Sequence, residues 1–556
     1  MGIDQRKLGE LRSRTGEVEN HIIDEFAAGH ISRREFLRRG TVIGMSIPLL
    51  GAIAAACGSS TPSSSPTTTS PKSAGGTIKA GIVVPTAAIN PLTVADQGGL
   101  DMLAQTGEYL CLYQQNLTHK PVLATSWTAN PKSDVWTFTL RDDVKFHTGQ
   151  TMTADDVVYS FKLQSNPKGT QNALSAFGGV LTPDGVKKIN DTTVEFSLEA
   201  PNGNFPYLCS SDNYNMIILP NNYDPADWQS SFVGTGPFVK TSYTAKVGAT
   251  FARNENYWGP KALPAATDFT FYATQPPQIT ALQSGAIDVI GQFSVSGGEA
   301  LLAGGYNVIK LRSSAHRELS MRCDMAPFTD ARVRQAVALT LNRPNTVKAL
   351  FSGYADIGND SPFAPVFPST NASIAQRAQN IAQAKSLLTA AGHPSGFSTT
   401  LTTEQFLEIP EFAEIVKQAA SAVGIDITLK VESSSAYYGD AVFGKSDWLD
   451  AIMSLVDYGH RSVPNVFLTA PLESSGTWNA AHFKNTQYDS LVAKYVAASD
   501  LGTQRTIAGQ IETLLLAETP IIYAYFYNYL TATAKNVSGV YPTPIGHLFL
   551  YNASVS

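Results

Sequence analysis

The chain has 556 residues, of which 43% are hydrophobic and 15% are charged, a composition typical of a globular protein with a large core. Its 40 Lys and Arg against 46 Asp and Glu give a formal net charge of -6. Much of the basic excess lies near the amino terminus, so the remainder is more acidic still, which argues against nucleic-acid binding. That remainder, roughly 480 residues, predicts two or three compact lobes.

The segment over residues 32–57 resembles an export signal. Arg33 and Arg34 precede Phe and Leu, as in twin-arginine signals, and an uncharged run of small and apolar residues leads to the sequence AAAC at 54–57, which resembles a lipoprotein cleavage box. A transmembrane anchor is the alternative, but the run 40–56 contains Pro48 and is shorter than the ~20 apolar residues of a span. We therefore predict a signal peptide over 1–57 and a lipid on Cys57. The protein would then sit on the extracytoplasmic face of the bacterial membrane, in the periplasm or at the cell surface.

Residues 58–75 are rich in Ser, Thr and Pro and offer almost nothing that folding could bury. Such a segment cannot offset its own ordering entropy, so we expect a flexible tether. For a chain of this length the expected reach is about 25 Å.

Three cysteines follow Cys57, namely Cys111, Cys209 and Cys323. An odd number cannot pair completely within one chain, so at most one internal disulfide is possible, and burial as small apolar residues is favoured. The absence of a CxxC pair disfavours a zinc knuckle or a redox site, and we expect neither a metal nor a cofactor.

The first periodic elements are a strand, a capped helix and a second strand. Residues 136–140 and 193–198 alternate between apolar and polar side chains, as half-buried strands do. Between them, Thr153 precedes an apolar helical face, with Asp156 three residues on, a pattern typical of a capping box.

Helices and strands alternate from about residue 328. Asp330 can cap the first helix of this region. The remaining predictions are a helix over 374–391, a strand over 397–403, a helix over 411–423 and strands over 425–431 and 449–456. This alternation predicts βαβ units and a largely parallel sheet.

Asp457 and Tyr458 therefore lie at the carboxyl end of a predicted buried strand, the edge at which ligands bind in open α/β sheets. A helix cap or turn former is the alternative role for Asp457. Aromatic residues at 437–438, 478 and 523–529 suit either a lined pocket or a core, and the last run alternates as a strand would, so core is favoured for half of it.

Catalytic motifs are absent from the sequence. It contains no HExxH, no P-loop and no GxSxG, and its nine histidines lack metal-ligand spacing. The GTGPF run at 234–238 resembles a phosphate loop only superficially, because Pro237 removes a backbone donor. The protein is therefore predicted not to be an enzyme.

Several blocks closely resemble the signature of the family 5 solute-binding proteins, the oligopeptide, dipeptide and nickel receptors of ABC importers. The blocks are LATSW at 123–127, WTF at 136–138, LR at 140–141, VKFHTG at 144–149, TADDVVYS at 153–160, GTGPF at 234–238, NENYW at 254–258, PFTDARVRQA at 327–336 and AHFKNTQYDSL at 481–491. They cover essentially everything from Gly76 onward.

The resemblance implies an α/β, two-lobed periplasmic-binding-protein type II fold with an inserted subdomain and a ligand cleft between the lobes. Lobe I would comprise 76–112, 219–313 and 521–556, the inserted subdomain 113–218, and lobe II 314–520. The strong blocks at 123–160 then report the fold rather than the ligand, and Asp155 and Asp156 act as caps.

The resemblance also implies a mechanism and partners. A ligand in the cleft favours the closed form, which docks on an ABC permease and ATPase complex, and no bond is made or broken. The lipid would hold the receptor, expected to be a monomer without a nucleic-acid partner, at the membrane.

In peptide-binding members an Asp in a Trp-x-Ala-Asp-Tyr motif pairs with the ligand's amino group, and Asp457 occupies that place. Ser454 stands where the Trp is usual, and Gly459, His460 and Arg461 replace the familiar continuation, which puts peptide specificity in doubt. The candidate ligand contacts are Asp457, Tyr458, His460, Arg461, Trp478 and Tyr437.

Three readings stay open for the cargo. The first is an oligopeptide or dipeptide receptor. The second is the same receptor for another polar solute, such as a polyamine, an amino-acid conjugate, a glycan fragment or a metal chelate. The third is a surface enzyme acting on peptides or cell-wall fragments.

Overall fold

The computed structural model describes residues 75–86 and 88–556. The predicted signal peptide, with Arg33, Arg34 and Cys57, lies outside these residues, as does nearly all of the predicted tether. Within the described part, no helix is long and apolar enough to cross a membrane.

Residues 75–218 contribute one strand to a large sheet and then form a small antiparallel sheet. The elements are β1 (Thr77–Val83), α1 (Gln97–Thr106), β2 (Cys111–Tyr113), β3 (His119–Pro121), β4 (Ala124–Ala129), β5 (Val135–Leu140), α2 (Ala154–Gln164), α3 (Leu174–Phe177), β6 (Val186–Asn190), β7 (Thr193–Ser197) and α4 (Phe205–Leu208). The strand order of the small sheet is β4-β5-β7-β6. The strands predicted at 136–140 and 193–198 are confirmed as β5 and β7.

Residues 219–311 supply most of a seven-stranded sheet. The elements are α5 (Trp228–Ser231), β8 (Phe238–Thr244), β9 (Gly248–Arg253), β10 (Ala266–Tyr272), α6 (Gln275–Gln283), β11 (Val289–Phe293), α7 (Glu299–Leu302) and β12 (Asn307–Leu311). In this sheet β1 runs parallel to β10 and β11, and the other neighbouring strands are antiparallel.

Residues 316–527 supply a six-stranded sheet and the helices that cover it. The elements are β13 (His316–Met321), α8 (Ala331–Thr340), α9 (Arg343–Phe351), β14 (Ala355–Ile357), α10 (Ile381–Ala390), β15 (Phe397–Glu404), α11 (Ile409–Ser421), β16 (Ile425–Glu432), α12 (Ser434–Tyr438), α13 (Asp447–Asp450), β17 (Met453–Tyr458), α14 (Asn465–Thr469), α15 (Thr486–Ala497), α16 (Leu501–Glu518) and β18 (Ile521–Tyr527). The strand order is β14-β18-β13-β17-β15-β16.

The carboxyl-terminal residues return to the first sheet. They form β19 (Tyr529–Thr533), β20 (Val537–Ser538), β21 (Tyr541–Pro542), β22 (Leu548–Phe549) and β23 (Ser554–Val555). Strand β19 lies between β12 and β11, so the seven-stranded order is β12-β19-β11-β1-β10-β9-β8.

The prediction of a largely parallel second sheet is wrong. Strand β15 is parallel to β16 and β17, but β13 runs antiparallel to β17 and β18, and β14 runs antiparallel to β18. Strand β13 follows directly from β12 of the first sheet, and β18 follows helix α16. Neither belongs to a βαβ unit, and local periodicity does not show the direction in which such a strand runs.

Two predicted boundaries also differ. The helix predicted from 374 begins at Ile381, because Asn380 caps it and accepts from Gln383 N, while Arg377 upstream is held by Asn359 and Asp360. The strand predicted from 449 begins at Met453, because 447–450 form a helical turn. The 523–529 run is more deeply buried than predicted, since both faces of β18 meet a core.

The chain passes between the two large sheets twice, after Leu311 and at Asn528. Tyr527 N donates to Ala315 O over 2.9 Å, so the two crossings lie side by side. Strand β18, which falls in the predicted lobe I segment 521–556, pairs within the second sheet. The division into a lobe I, an inserted subdomain and a lobe II that move independently stays a prediction.

Candidate functional site

Strand β17 presents its carboxyl end where β15 and β16 also end, because the three strands are parallel. Asp457 and Tyr458, its last two residues, point to opposite faces of the sheet. The face of Leu455 and Asp457 carries the core under helix α11, and the face of Val456 and Tyr458 carries the core shared with α14 and α15.

Asp457 is held by a buried arginine from the neighbouring strand β13. Arg317, directly opposite Asp457, is 1% exposed and forms an ion pair with Asp457 Oδ1, to which the Tyr527 hydroxyl also donates over 3.2 Å. The side chain of Asp457 is 28% exposed, so its carboxylate is the part of this group that solvent reaches. Among the described residues its second oxygen has no hydrogen-bond partner.

Two glutamates complete an acidic cluster, defined as Glu408 and Asp457, which contact Arg317, and Glu404, which contacts the nearby Tyr438. Arg317 Nε and Nη2 each lie 3.0 Å from an oxygen of Glu408. Glu404 accepts from Tyr438 over 2.7 Å and from Ser434 over 2.6 Å. Burial, followed by the hydrogen bond and charge of Glu404 and then the charge of Asp457, raises the pKa of Tyr438, which links the members electrostatically.

The formal charges of the acidic cluster do not balance. Three carboxylates against one guanidinium leave two negative charges. Buried or half-buried carboxylates are costly without cations, so this edge of the sheet favours a group that carries positive charge.

Three of the predicted contacts lie on the other face of the sheet or in the core. Tyr458 is stacked on His316 with ring centroids 5.5 Å apart, and its hydroxyl is buried without a partner. Trp478, partly exposed, lies 6.1 Å from the Tyr458 ring. Tyr437 is fully buried and donates to Leu455 O over 2.7 Å, which leaves it little to offer a ligand in this state. As ligand contacts all three stay predictions.

His460 follows β17 and is buried between the lobes. Its Nδ1 accepts from Ser314 N over 3.0 Å, and a backbone amide can only donate, so the ring proton lies on Nε2. Burial and then the charge of Arg461 lower the pKa of His460 to about 3, so the ring is neutral at pH 7. Its ring stacks on Tyr113 with centroids 5.9 Å apart.

Arg461 lies in the wall of a cavity of about 510 Å³ between residues 172–215 and residues 461–497. The polar side chains of this interlobe cavity are Asn172, Ser175, Asn202, Asn204, Asp212, Asn213, Tyr214, Asn215, Arg461, Asn465, Thr469 and Glu473. Its volume falls within the ~300–1,000 Å³ of ligand pockets.

The two sides of the interlobe cavity touch through polar contacts. Ser462 donates to Asp212 Oδ1 from its amide over 2.9 Å and from its hydroxyl over 2.8 Å. Asn204 donates to Asn465 over 3.0 Å. Burial raises the pKa of Asp212 to about 6, against the lowering effect of the Ser462 bond and of Arg461.

A second cavity, of about 200 Å³, is lined in part by Glu108, a residue that the sequence did not single out. Glu108 accepts from Tyr257 over 2.6 Å, from Thr235 over 2.8 Å and from Trp258 over 2.9 Å. Burial raises the pKa of Glu108 to about 7 against these bonds. The GTGPF run is therefore a packing element, and a Cβ on Gly234 would lie 1.9 Å from Thr106 O.

Cys111, Cys209 and Cys323 are free thiols, and the first two are buried, as the sequence favoured. Within residues 75–86 and 88–556, no group of three His, Cys, Asp or Glu side chains is arranged to hold a metal ion.

Two α/β lobes linked by paired crossings, with a polar cavity between residues 172–215 and the second lobe, define the two-lobed type II fold of the periplasmic binding proteins. The chain belongs to family 5 of the bacterial extracellular solute-binding proteins, whose middle-region model matches residues 118–479.

Relatives named for different ligands are similar in sequence to this chain. The dipeptide-binding protein DppE of Bacillus subtilis is 24% identical over 464 residues, covering 78% of this chain and 83% of DppE. Heme-binding protein A of Haemophilus influenzae is 25% identical over 482 residues, covering 78% of this chain and 84% of that protein.

Solved structures support the fold. HbpA2 from Haemophilus parasuis matches with a TM-score of 0.77 and 22% identity, covering 86% of this chain and all of the other (100%). DppA from Helicobacter pylori, in complex with the peptide STSA, matches with a TM-score of 0.70 and 21% identity, covering 86% of this chain and 98% of DppA.

Proposed function

We propose that this chain is the substrate-binding lipoprotein of an ABC importer, which captures short peptides between its lobes and delivers them to the permease. The observation that carries this proposal is the position of the Asp457 carboxylate. Its carboxylate lies partly exposed at the carboxyl edge of a lobe II strand, within a cluster that has two negative charges in excess. A peptide's α-amino group is the cation that such an edge would bind.

Closure of the lobes would couple binding to delivery. The paired crossings near Ala315 and Asn528 would act as the hinge. The contacts of Ser462 with Asp212 and of Asn465 with Asn204 form across the interlobe cavity and would break when the cavity opens. A ligand that touches both sides shifts the population toward this closed form. No step makes or breaks a covalent bond, so the protein is a receptor and not an enzyme.

The amino-terminal residues support a location outside the cytoplasm and a flexible attachment to the membrane. Export through a twin-arginine signal with Arg33 and Arg34 would deliver a folded body, and a lipid on Cys57 would retain it at the extracytoplasmic face of the membrane. Working as a monomer, the receptor would then stay within reach of a permease in the same membrane.

A non-peptide polar solute, such as a polyamine, glycan fragment or metal chelate, is the second candidate. The observation in its favour is Arg317, which already supplies Asp457 with a buried cation. A ligand amine, on a peptide or a polyamine alike, would have to share the carboxylate with this guanidinium, whereas a glycan fragment or a metal chelate without an amine would not.

The experiment is a comparison of Asp457→Asn with the wild type, using one tripeptide pool with free amino ends and the same pool N-acetylated. Because a charge-assisted hydrogen bond contributes about 1.5–3 kcal/mol, the variant should bind the free pool roughly ten- to a hundredfold more weakly. Binding of the acetylated pool, measured by calorimetry and native mass spectrometry, should barely change.

Asp440→Asn is the matched control, since Asp440 is an exposed carboxylate of lobe II outside the acidic cluster. Equal losses for both pools in Asp457→Asn would mean that Asp457 only supports the fold. If neither pool stabilises the wild type while another solute does, the peptide assignment is wrong.

A further inference from the structure

The interlobe cavity is rich in asparagine. Six of its lining residues are asparagines, five of them within residues 172–215 and one, Asn465, on the second lobe. Three of the six, Asn202, Asn213 and Asn215, are only 4%, 8% and 1% exposed. A buried amide needs hydrogen-bond partners for its oxygen and for its nitrogen, so the atoms that lack a partner indicate what the cavity can bind.

Two acceptor oxygens in the cavity have a fixed orientation. Asn215 Nδ2 donates to the carbonyls of Pro91 and Val94, each over 2.9 Å. Asn213 Nδ2 donates to Leu208 O over 3.2 Å. A backbone carbonyl can only accept, so the nitrogen of each amide must face the backbone and the oxygen must point away from it. Neither Oδ1 accepts a bond from any described residue, and neither is sealed inside the protein.

Two donor nitrogens are fixed by the same reasoning. Asn202 Oδ1 accepts from Asn204 N over 2.9 Å, and a backbone amide can only donate, so Asn202 Nδ2 is left over. Gln504 Nε2 donates to Ala498 O over 2.9 Å and to Asn204 Oδ1 over 3.2 Å. Asn204 Nδ2 must then be the donor to Asn465 Oδ1, over 3.0 Å. Asn465 Nδ2 is therefore without an acceptor among the described residues.

The charged side chains of the cavity do not favour a charged ligand. Arg461 lies close enough to Asp212 for its positive charge to lower the pKa of that carboxyl, against the larger effect of burial. Burial and then the charge of Asp489 raise the pKa of Glu473. One cation and one carboxylate thus offset each other, and the second carboxylate is shifted toward its neutral form.

Fixed donors and fixed acceptors around one space match a ligand whose groups can both donate and accept. A hydroxyl does so at a single atom, because it donates one hydrogen bond and accepts two. The second lobe also brings apolar surface to the cavity, from Val463, Val466, Val492 and Val496. A carbon ring that carries several hydroxyls satisfies both kinds of surface, and this is the structure of a sugar.

We propose that the interlobe cavity is a second ligand site, which binds an uncharged sugar of one or two rings through the free amide atoms of residues 172–215 and of Asn465. The site is separate from Asp457, which does not line the cavity. A sugar held there contacts both walls and favours the closed form. The proposal does not depend on which ligand the acidic cluster binds.

The test is calorimetry on the full mature chain with a panel of common uncharged mono- and disaccharides, among them glucose, galactose, maltose and cellobiose. N-acetyl-dialanine amide serves as an uncharged peptide of similar size. Ala493→Trp places a large ring at an exposed position of the cavity wall, and Asn465→Ala removes one free donor. Ala382→Trp on α10 and Asn345→Ala on α9 are the matched controls, since both positions are exposed and lie outside the cavity.

The wild type should bind at least one sugar, and should bind it more tightly than the blocked peptide. Ala493→Trp should abolish sugar binding, and Asn465→Ala should weaken it about two- to tenfold, the range of one neutral hydrogen bond. Both controls should bind sugar as the wild type does. Asp457→Asn should lose affinity for tripeptides with free amino ends and keep its affinity for the sugar.

Four outcomes would overturn the inference while leaving the proposed function intact, because tripeptide binding is measured in the same series. If the wild type binds no sugar of the panel, the cavity is not a sugar site, and this comparison needs no variant that could misfold. Unchanged sugar affinity in Ala493→Trp would place the sugar elsewhere. Loss of sugar binding in Asp457→Asn would mean one shared site. Tighter binding of the blocked peptide, abolished in Ala493→Trp, would make the cavity part of the peptide site.

Discussion

At the scale of single residues, Glu108 joins two separate sequence blocks in space. Its three donors come from the GTGPF and NENYW runs, at separations of 127, 149 and 150 residues. Nothing in the local pattern around Glu108 marks it, because its role depends on partners from another part of the chain. Asp457 was predictable because its place at a strand end is local, but its pairing with Arg317 was not, since Arg317 lies 140 residues away.

Glu108 should make the stability of the fold depend on pH. Burial raises the folded-state pKa of Glu108 to about 7, above the ordinary glutamate value of 4.5, so the folded state retains a proton that the unfolded state loses. The resulting stabilisation is present below pH 4.5 and is lost as pH rises to about 7, by on the order of 3 kcal/mol. We expect Glu108→Gln to lose this part of the pH dependence. It should also be less stable, because its amide NH2 replaces one of the two oxygens and then faces either the Tyr257 hydroxyl or the donors of Thr235 and Trp258.

Urea unfolding at pH 5, 6 and 7 checks the Glu108 prediction. Glu414→Gln, at an exposed position of α11, is the control and should keep the wild-type slope. An unchanged slope in Glu108→Gln would show that Glu108 does not titrate in this range.

At the scale of elements, helix starts were predictable where a side chain caps its own helix. Thr153 N donates to Asp156 Oδ2 over 2.7 Å, and Asp155 N donates to Thr153 Oγ1 over 3.3 Å, which confirms the predicted capping box of α2. Asp330 likewise accepts from Arg332 N at the start of α8. The start of α10 was missed because the residues before Asn380 are held by a loop 18 residues upstream.

Thr153→Ala should lower the free energy of unfolding by about 1 kcal/mol, since it removes the side-chain acceptor at the helix start. Thr170→Ala is the matched control, because Thr170 is an exposed threonine of the same region outside any helix or strand. Equilibrium denaturation of both variants measures the difference. A loss below about 0.3 kcal/mol for Thr153→Ala, relative to the control, would show that Asp156 alone holds the cap.

At the scale of the whole molecule, the two lobes are joined by the crossings after Leu311 and at Asn528, and residues 172–215 meet residues 461–497 of the second lobe across the interlobe cavity. Gly203 N donates to Val496 O over 3.0 Å, and a Cβ on Gly203 would lie 2.2 Å from Ala498 O, so the approach is too close for a side chain. Contacts of this kind join segments nearly 300 residues apart and decide where the candidate site is assembled.

We expect retention at the membrane to depend on Cys57. Cys57→Ser should release the protein from the membrane fraction, because no lipid can then be attached, while Cys323→Ser should stay bound. Fractionation of cells followed by immunoblotting measures the distribution. If Cys57→Ser sediments with membranes as the wild type does, the anchor is not a lipid on Cys57.

The sequence by itself determined the family resemblance, the fold class, strands such as β5 and β7, capped helices such as α2 and α8, and the place of Asp457, because periodicity, caps and contiguous blocks are local properties of a chain. Only the tertiary structure decided the mixed direction of the second sheet, the pairing of Arg317 with Asp457, the convergence on Glu108 and the cavity beside Arg461. Each of these depends on residues brought together from distant segments, and the free energy of burying such groups has no signature in either segment alone.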